Sequence, residues 1–476
     1  MELQYLSNIQ PNLDLVVVLE EIGESEAYCN SEEEKDYLKK KIEEKNSLIQ
    51  INRYTQQVFF IFREKKEKEE SYRIKEIYRN LGNELFQKVN QEKSEKIHIH
   101  CLLKNQEEAL SLIEGLVLST YQFLKYKSDK KENPLKSVSI SGDSLNQALL
   151  DELAALSEGN FIARTLVNEP VLYLTAEKLS EEIEKLGNEA GFEVEVFHKA
   201  KIESLGMTGL LTVNKGSVQP PTFNVLEYKP ENAKNTQPFI LVGKGVVYDT
   251  GGLSLKPTGN SMDYMKCDMA GAAAVVGAVY AIAKNKLPIH IIGLIPATDN
   301  RPGGDAITPG DVITMMNGKT VEILNTDAEG RLILSDALCY ASHFKPQLVI
   351  DMATLTGSAV RAVGYEAMVM MGTADEETKK SLADSGKEVF ERMVELPLWD
   401  EYDEHIKSEI ADINNLGRAE AGSITAGKFL QNFTDYPWIH LDIAGPAYLQ
   451  TPNKYRAKGG TGSCVRLLYH FLKKNI

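Results

Sequence analysis

The sequence lacks the usual signs of several chemistries. It contains no H-E-x-x-H and no G-x-S-x-G, so it encodes neither a helix-borne zinc pair nor a nucleophile elbow. Its eight histidines fall at no ligand spacing. The five cysteines (Cys29, Cys101, Cys267, Cys339, Cys464) are scattered and form no C-x-x-C. An odd, sparse set of this kind points to reduced thiols and a cytoplasmic setting. The first residues carry no basic segment followed by an apolar one, so no signal peptide is expected. No apolar run approaches the length of a membrane span, so no membrane association is expected either. Basic charge is in deficit: 53 Lys and Arg against 68 Asp and Glu leave a net charge of −15. That balance favours solubility and disfavours non-specific nucleic-acid binding. There is no repeat of fixed period and no low-complexity segment.

What is present describes an ordinary globular chain of two domains. Its 476 residues exceed one common core, and 43% hydrophobic with 25% charged residues is a normal balance. Residues 1–155 read as an N-terminal α/β domain, with buried strands at 15–19 (LVVVL), 57–62 (QVFFIF) and 96–103 (KIHIHCLL). His98 and His100 alternate in the third, which suggests an exposed strand face rather than a metal pair. Residues 64–84 mix Lys and Glu and read as a solvated helical face. A helix over 143–167 bridges the domains and stops at Asn168-Glu169-Pro170. Residues 156–175 are the linker region at its end. Thr175 then caps a helix over 176–186 that Gly187 ends.

Residues 176–476 alternate strands and helices. Strands are expected at 193–197, 238–248, 289–295 and 347–352, and helices at 270–284 and 332–343. Asn317-Gly318 between VITMM and KTVEIL signals a hairpin, so the sheet is mixed. The fold class is α/β: two α/β domains, the C-terminal one with a central mixed sheet flanked by helices.

One stretch of that domain concentrates chemistry: residues 325–332, NTDAEGRL. An apolar run precedes it and an amphipathic run follows, which places it where a strand gives way to a helix. In extended backbone Asp327 and Glu329 point the same way, and two hard oxygen donors on one face suit a divalent cation. Alone, D-x-E reads more readily as an acidic turn in solvent than as a metal site. Two further clusters lie in the same domain. In VGKGVVYDTGG, Lys244 and Asp249 flank the end of an apolar strand, and Gly251-Gly252 make a tight turn. The phosphate-loop spacing is absent, so a nucleotide site is not expected. In MDYMKCDMAGAAA, Asp268 stands at the first turn of a small-residue helix, as a cap or as a functional carboxylate. Cys267 beside it reads as a buried, inert thiol. A carboxylate-rich site without histidine favours Mg or Mn, or Zn held by oxygen ligands.

The set VGKGVVYDTGG, Lys256, MDYMKCDMAGAAA and NTDAEGRL resembles the leucine aminopeptidase family, the cytosolic two-metal exopeptidases. NEP (168–170), DMATLTG (351–357) and LDIAGPA (441–447) also resemble family segments, and the likeness spans residues 160–476. One departure is a loop between Lys256 and Asp268 that is about one residue longer than the family form. The resemblance implies that Asp249 and Glu329 bridge two divalent ions (Mn or Zn, or Mg in one site). Lys244 and Asp268 would complete the tighter site. Asp327 would hold the more exchangeable ion. Lys256 and Arg331 would stand over the reacting centre, and Met265, Thr354 and Ala444 would line the pocket for the first side chain.

The implied reaction removes a leucine-like or other neutral residue from a peptide with a free N-terminus, by attack of a metal-bridged water. Lys256 would stabilise the oxyanion. A bicarbonate held by Arg331 would shuttle the proton, and the assembly would be a homohexamer of two stacked trimers. Four carboxylates in one cleft must take up protons or cations, and Lys244 can ligate only if a dication depresses its pKa. Two other classes remain to be set against this one. A two-metal phosphoesterase would be expected to use more histidines, and a DNA-binding role sits badly with the net charge.

Overall fold

Short unbroken runs of Val, Ile, Leu and Phe are strands that sheets bury on both faces. The structure, a computed structural model, describes residues 1–64 and 68–476. It divides into two compact units, residues 1–157 with 452–457 and residues 158–451 with 458–476.

In the first unit six strands form one sheet: β1 (Glu2–Tyr5), β2 (Asp14–Leu19), β3 (Leu48–Asn52), β4 (Gln57–Phe62), β5 (Lys96–Cys101) and β6 (Ser137–Ser141). Their order is β1-β6-β5-β2-β4-β3; β3 and β4 pair antiparallel and the other neighbours pair parallel. The covered position of β5 corrects the reading of its histidines. His98 is fully buried, and the Tyr28 ring lies 5.5 Å from that of His100. Both imidazoles face one hydroxyl: Ser141 Oγ is 2.8 Å from His98 Nε2 and 2.7 Å from His100 Nδ1.

The mixed-charge run over 64–84 also differs from expectation. Residues 65–67 of it lie outside the described residues. Its remainder enters the helix Ser71–Glu92, where Lys75, Glu76 and Arg79 are buried rather than solvated. The reason is packing against the helix Gln106–Ser119. Arg79 Nε donates to Glu114 at 2.5 Å and Tyr455 Oη donates to Glu76 at 3.0 Å. Partners of this kind are what admit charge to an interior.

The second unit carries β7 (Glu193–Phe197), β8 (Thr222–Tyr228), β9 (Phe239–Gly243), β10 (Gly245–Asp249), β11 (Ile291–Asn300), β12 (Val312–Thr314), β13 (Thr320–Glu322), β14 (Leu348–Ala353), β15 (Met368–Gly372), β16 (Met393–Glu395), β17 (Ile413–Asn414) and β18 (Trp438–Asp442). A nine-stranded sheet runs β16-β15-β18-β14-β9-β11-β8-β7, with β10 paired to β11 off that path. The Asn317-Gly318 turn does join two antiparallel strands, β12 and β13, and Gly318 takes φ +86°. They belong, however, to a separate three-stranded sheet with β17. The large sheet is mixed for another reason: β8 runs antiparallel to β11 and β7, and β15 runs antiparallel to β18.

Element ends move by a few residues from expectation. The helix expected over 143–167 is Gln147–Asn168, and the one expected to stop at Gly187 continues as Ala176–Ala190, closed by Gly191 at φ +88°. Gly187 is there for packing: a Cβ on it would come within 2.7 Å of Val194 Cγ2.

Residues 262–284 also correct the sequence reading. By length and composition this helical stretch is apolar enough to cross a membrane, yet 89% of its apolar window is buried inside the fold. Its second part, the helix Ala270–Lys284, packs on β9, β11 and β14. Small residues allow the approach, since a Cβ on Gly271 would lie 2.0 Å from the Met352 carbonyl. The stretch is a core element, and Asp268 lies just before its second part.

Candidate metal centre

The centre begins with a break in a strand. The run expected over 238–248 is two strands, β9 and β10, parted at Lys244. Its N–H donates to the Met352 carbonyl at 3.1 Å and its carbonyl accepts from Ala272 N–H at 2.9 Å. The buried side chain then reaches three acceptors. Lys244 Nζ lies 2.8 Å from Asp268, 2.8 Å from Glu329 Oε1 and 2.9 Å from the Thr354 carbonyl. Burial alone would lower the pKa of this ammonium, but Asp268, Glu329 and Asp249 more than offset it and hold the group above its ordinary value.

Asp249 ends β10. Its Oδ1 accepts from Gly251 N–H at 2.8 Å and from Asn300 Nδ2 at 2.9 Å, and its Oδ2 is 2.8 Å from Lys256 Nζ. The turn that follows needs glycine: Gly251 and Gly252 take φ of +85° and +62°, and a Cβ on Gly252 would lie 2.9 Å from both Asn300 Oδ1 and Thr326 Oγ1.

Asp268 closes a 3-10 turn, Met262–Met269, before the core helix. It is not a helix cap. The cap position belongs to Met269, and Asp268 Oδ1 accepts from Lys244 Nζ and from Thr354 Oγ1, each at 2.8 Å. Cys267 beside it is buried, as expected, and burial pushes its thiol up to about 12.

Residues 325–329 form a turn between β13 and the helix Gly330–Ala341 rather than extended backbone. Glu329 has helical φ and ψ of −76° and −36°. The two carboxylates therefore diverge: Glu329 meets Lys244, and Asp327 meets Lys256. Both still face one cavity, because the turn curls around it.

Two asparagines that sequence reasoning missed hold this arrangement. Asn300 Nδ2 donates to Asp249 Oδ1 and, at 3.0 Å, to the Thr326 carbonyl, so it ties one carboxylate to the turn bearing two others. Asn415, fully buried at the end of β17, accepts from Leu324 N–H at 2.8 Å and donates to the Asn325 carbonyl at 2.8 Å. Its own carbonyl accepts from Arg331 Nη1 at 2.9 Å. Neither asparagine sits in a spacing that announces a ligand site.

Arg331 is buried beneath the cavity, with its guanidinium 6.0 Å from the Phe429 ring centroid. Burial lowers it to about 10, against Glu329 and Asp442, which raise it. Its Nε has no hydrogen-bond partner among the described residues.

A cavity of about 560 Å³ joins these groups. Lys244, Asp249, Lys256, Asp268, Asp327, Glu329 and Arg331 line it. Met265, Thr354 and Ala444 line it as well, so all ten residues singled out from sequence meet there. Thr354 is more than a wall, since its hydroxyl and carbonyl engage Asp268 and Lys244.

The electrostatics fit a cation. Asp249, Asp268 and Glu329 are buried and each offers an oxygen within 4.8 Å of the others'. Burial, with Asp249 and Glu329 nearby, raises the Asp327 carboxyl to about 7, and burial raises Asp268 well above its usual range despite Lys244. Glu329 Oε2 is buried with no hydrogen-bond partner among the described residues. Crowded carboxylates, one with a spare oxygen, are a donor set for hard divalent ions.

Known proteins resemble this chain. The family description "Cytosol aminopeptidase family, catalytic domain" matches residues 161–469. A probable cytosol aminopeptidase of Chlorobium limicola is 47% identical over 381 residues, 76% of this chain and 75% of the relative. One from Clostridium perfringens is 44% identical over 373 residues, 76% of this chain and 75% of the relative. Among solved structures, the bottromycin maturation enzyme BotP in complex with Mn superposes with a TM-score of 0.84 at 30% identity, covering 97% of this chain and 99% of that one. A mutant of tomato leucine aminopeptidase superposes with a TM-score of 0.87 at 24% identity, covering 100% and 97%, and shows the same fold.

Proposed function

The chain belongs to the cytosol aminopeptidase family and is a metal-dependent aminopeptidase; from that premise we propose that it removes leucine-like and other neutral first residues from peptides at two divalent ions. Asp249 and Glu329 would contribute to holding both ions, Lys244 and Asp268 would complete the tighter site, and Asp327 would hold the more exchangeable ion. The observation that carries this assignment is the convergence of Asp249, Asp268 and Glu329, from three separate segments, within 4.8 Å of one another. Hard oxygen donors, and a structural relative held with Mn, support Mn or Zn, with Mg acceptable in one site.

When bound, the ions supply Lewis acidity, polarising a carbonyl and making water a nucleophile near neutral pH. The chain's own groups do the rest. The metal-holding end of the cavity would take the free α-amine, which would limit cleavage to the first peptide bond. Lys256 Nζ, held between Asp249 and Asp327 on the open side, donates to the oxyanion that develops on the carbonyl oxygen. No histidine lines the cavity among the described residues, so no ordinary base is at hand. Arg331, with its spare Nε donor, would hold a bicarbonate, which would supply a carrier for the proton. Met265, Thr354 and Ala444 receive the first side chain.

The same reading divides the chain into an N-terminal domain (1–155), a linker (156–175) and a catalytic domain (176–476). It places the protein in the cytoplasm as a homohexamer of two stacked trimers; the relatives' designation as cytosol aminopeptidases supports the compartment. The test is release of p-nitroaniline from Leu-p-nitroanilide by purified protein with Mn or Zn. Turnover abolished by a chelator is expected, and phosphate release from a phosphoester in its place would overturn the reading.

A further inference from the structure

Two arginines at the rim of the cavity have no part in that chemistry. Arg361 lies in the helix Gly357–Val363, and Arg418 lies between β17 and the helix Gly422–Gln431. Both line the cavity and both are exposed. Their segments abut: Thr356 Oγ1 and Ser423 Oγ are 2.8 Å apart, and a Cβ on Gly422 would lie 2.4 Å from Ser358 Oγ. Arg361 Nη2 donates to Ser358 Oγ at 2.9 Å. Among the described residues neither guanidinium pairs with a carboxylate.

The cavity thus has two distinct regions. Its deep end carries the residues proposed to hold the ions and to take the peptide's free amine, and its rim carries two guanidiniums with no carboxylate partner among the described residues. A cavity of 560 Å³ is about 10 Å across if round. An extended di- or tripeptide spans about 7–11 Å, so its amine end and its carboxylate would reach the two regions together. The chain's net charge of −15 would repel the anionic end elsewhere on the surface. We propose that Arg361 and Arg418 form a carboxylate subsite that selects peptides bearing a carboxylate one or two residues beyond the scissile bond. This rests on the aminopeptidase reading.

The test compares kcat/KM ratios within each Mn-loaded full-length protein. One pair is Leu-Gly-Gly against its C-terminal amide, and the other is Leu-Asp-amide against Leu-Asn-amide. Leu-p-nitroanilide serves as the uncharged reference. The wild-type protein should favour the anionic member by about three- to tenfold, as two exposed charge pairs acting together would give, mainly through KM. The R361Q/R418Q variant should bring the ratio near one, and R361E/R418E should invert it. Raised salt should shrink the wild-type preference. A response in the first pair assigns the α-carboxylate, and a response in the second assigns an acidic side chain; either supports the subsite. A wild-type ratio near one, or a ratio unmoved in both variants, overturns it while leaving the aminopeptidase reading intact. Absence of Leu-p-nitroanilide turnover would overturn that reading, and the subsite with it.

Discussion

Replacing Asn415 with alanine should disable the centre without touching any proposed ligand. The amide of Asn415 accepts from Leu324 N–H and donates to the Asn325 carbonyl, both at 2.8 Å, with longer contacts of 3.3 Å to Asn325 N–H and 3.5 Å to the Ala328 carbonyl. These bonds fix both ends of the turn that carries Asp327 and Glu329. Truncation removes two well-formed, partly buried bonds at about 0.5–1.5 kcal/mol each, so the local structure should lose about 1–3 kcal/mol. That is too little to unfold a core of this size but enough to let the turn shift. Groups that orient metal ligands typically cost about 10–100-fold in metal affinity or activity when removed, and Asn415→Ala should fall in that range. The assay pairs a Mn titration followed by metal analysis with initial rates on Leu-p-nitroanilide. Circular dichroism should show the fold retained. Wild-type Mn affinity together with wild-type kcat in Asn415→Ala would refute the claim that this side chain holds the turn.

Three other outcomes follow from the same geometry. Glu329→Ala removes the carboxylate whose Oε1 meets Lys244 and whose Oε2 is free of hydrogen bonds among the described residues; it should lose metal and nearly all turnover, and activity with full metal content would remove its bridging role. Arg331→Ala should weaken the rate's response to added bicarbonate, and indifference in both proteins would remove the anion carrier. The third concerns pH. Burial and its acidic neighbours raise Asp327 from 3.8 to about 7. Between those values the metal-free folded state binds more protons than the unfolded chain, so its stability should fall as pH rises through the window. Mn competes with the same protons, so its affinity should rise across that window. Melts and Mn titrations at about pH 5 and pH 8 check both signs, and pH-independent values would contradict them.

The candidate site was largely legible because its residues lie in short local patterns. Asp249 precedes a Gly-Gly turn, Asp268 precedes a run of alanines, and Asp327, Glu329 and Arg331 share eight residues. What was hidden depends on topology. Asn415 reaches Asn325 across 90 residues, and Asn300 reaches Asp249 across 51, because strand order rather than spacing sets those contacts. Alternation at His98 and His100 looks the same whether the face is open or covered, so only the packed sheet shows that His98 is buried. For the same reason, residues 262–284 could be recognised as a core element only once the strands beneath them were known. The hairpin at Asn317-Gly318 was read correctly as a turn, but a turn motif carries no information about which sheet its strands join.

The central claim is that divalent ions held by Lys244, Asp249, Asp268, Asp327 and Glu329 make this chain an aminopeptidase. Stoichiometric titration tests it most directly: metal-free protein is loaded stepwise with Mn while Leu-p-nitroanilide hydrolysis and bound metal are followed together. The account predicts no turnover without metal and full turnover only as a second equivalent per chain is bound. Full activity in metal-free protein, or saturation of activity at one equivalent, would contradict it.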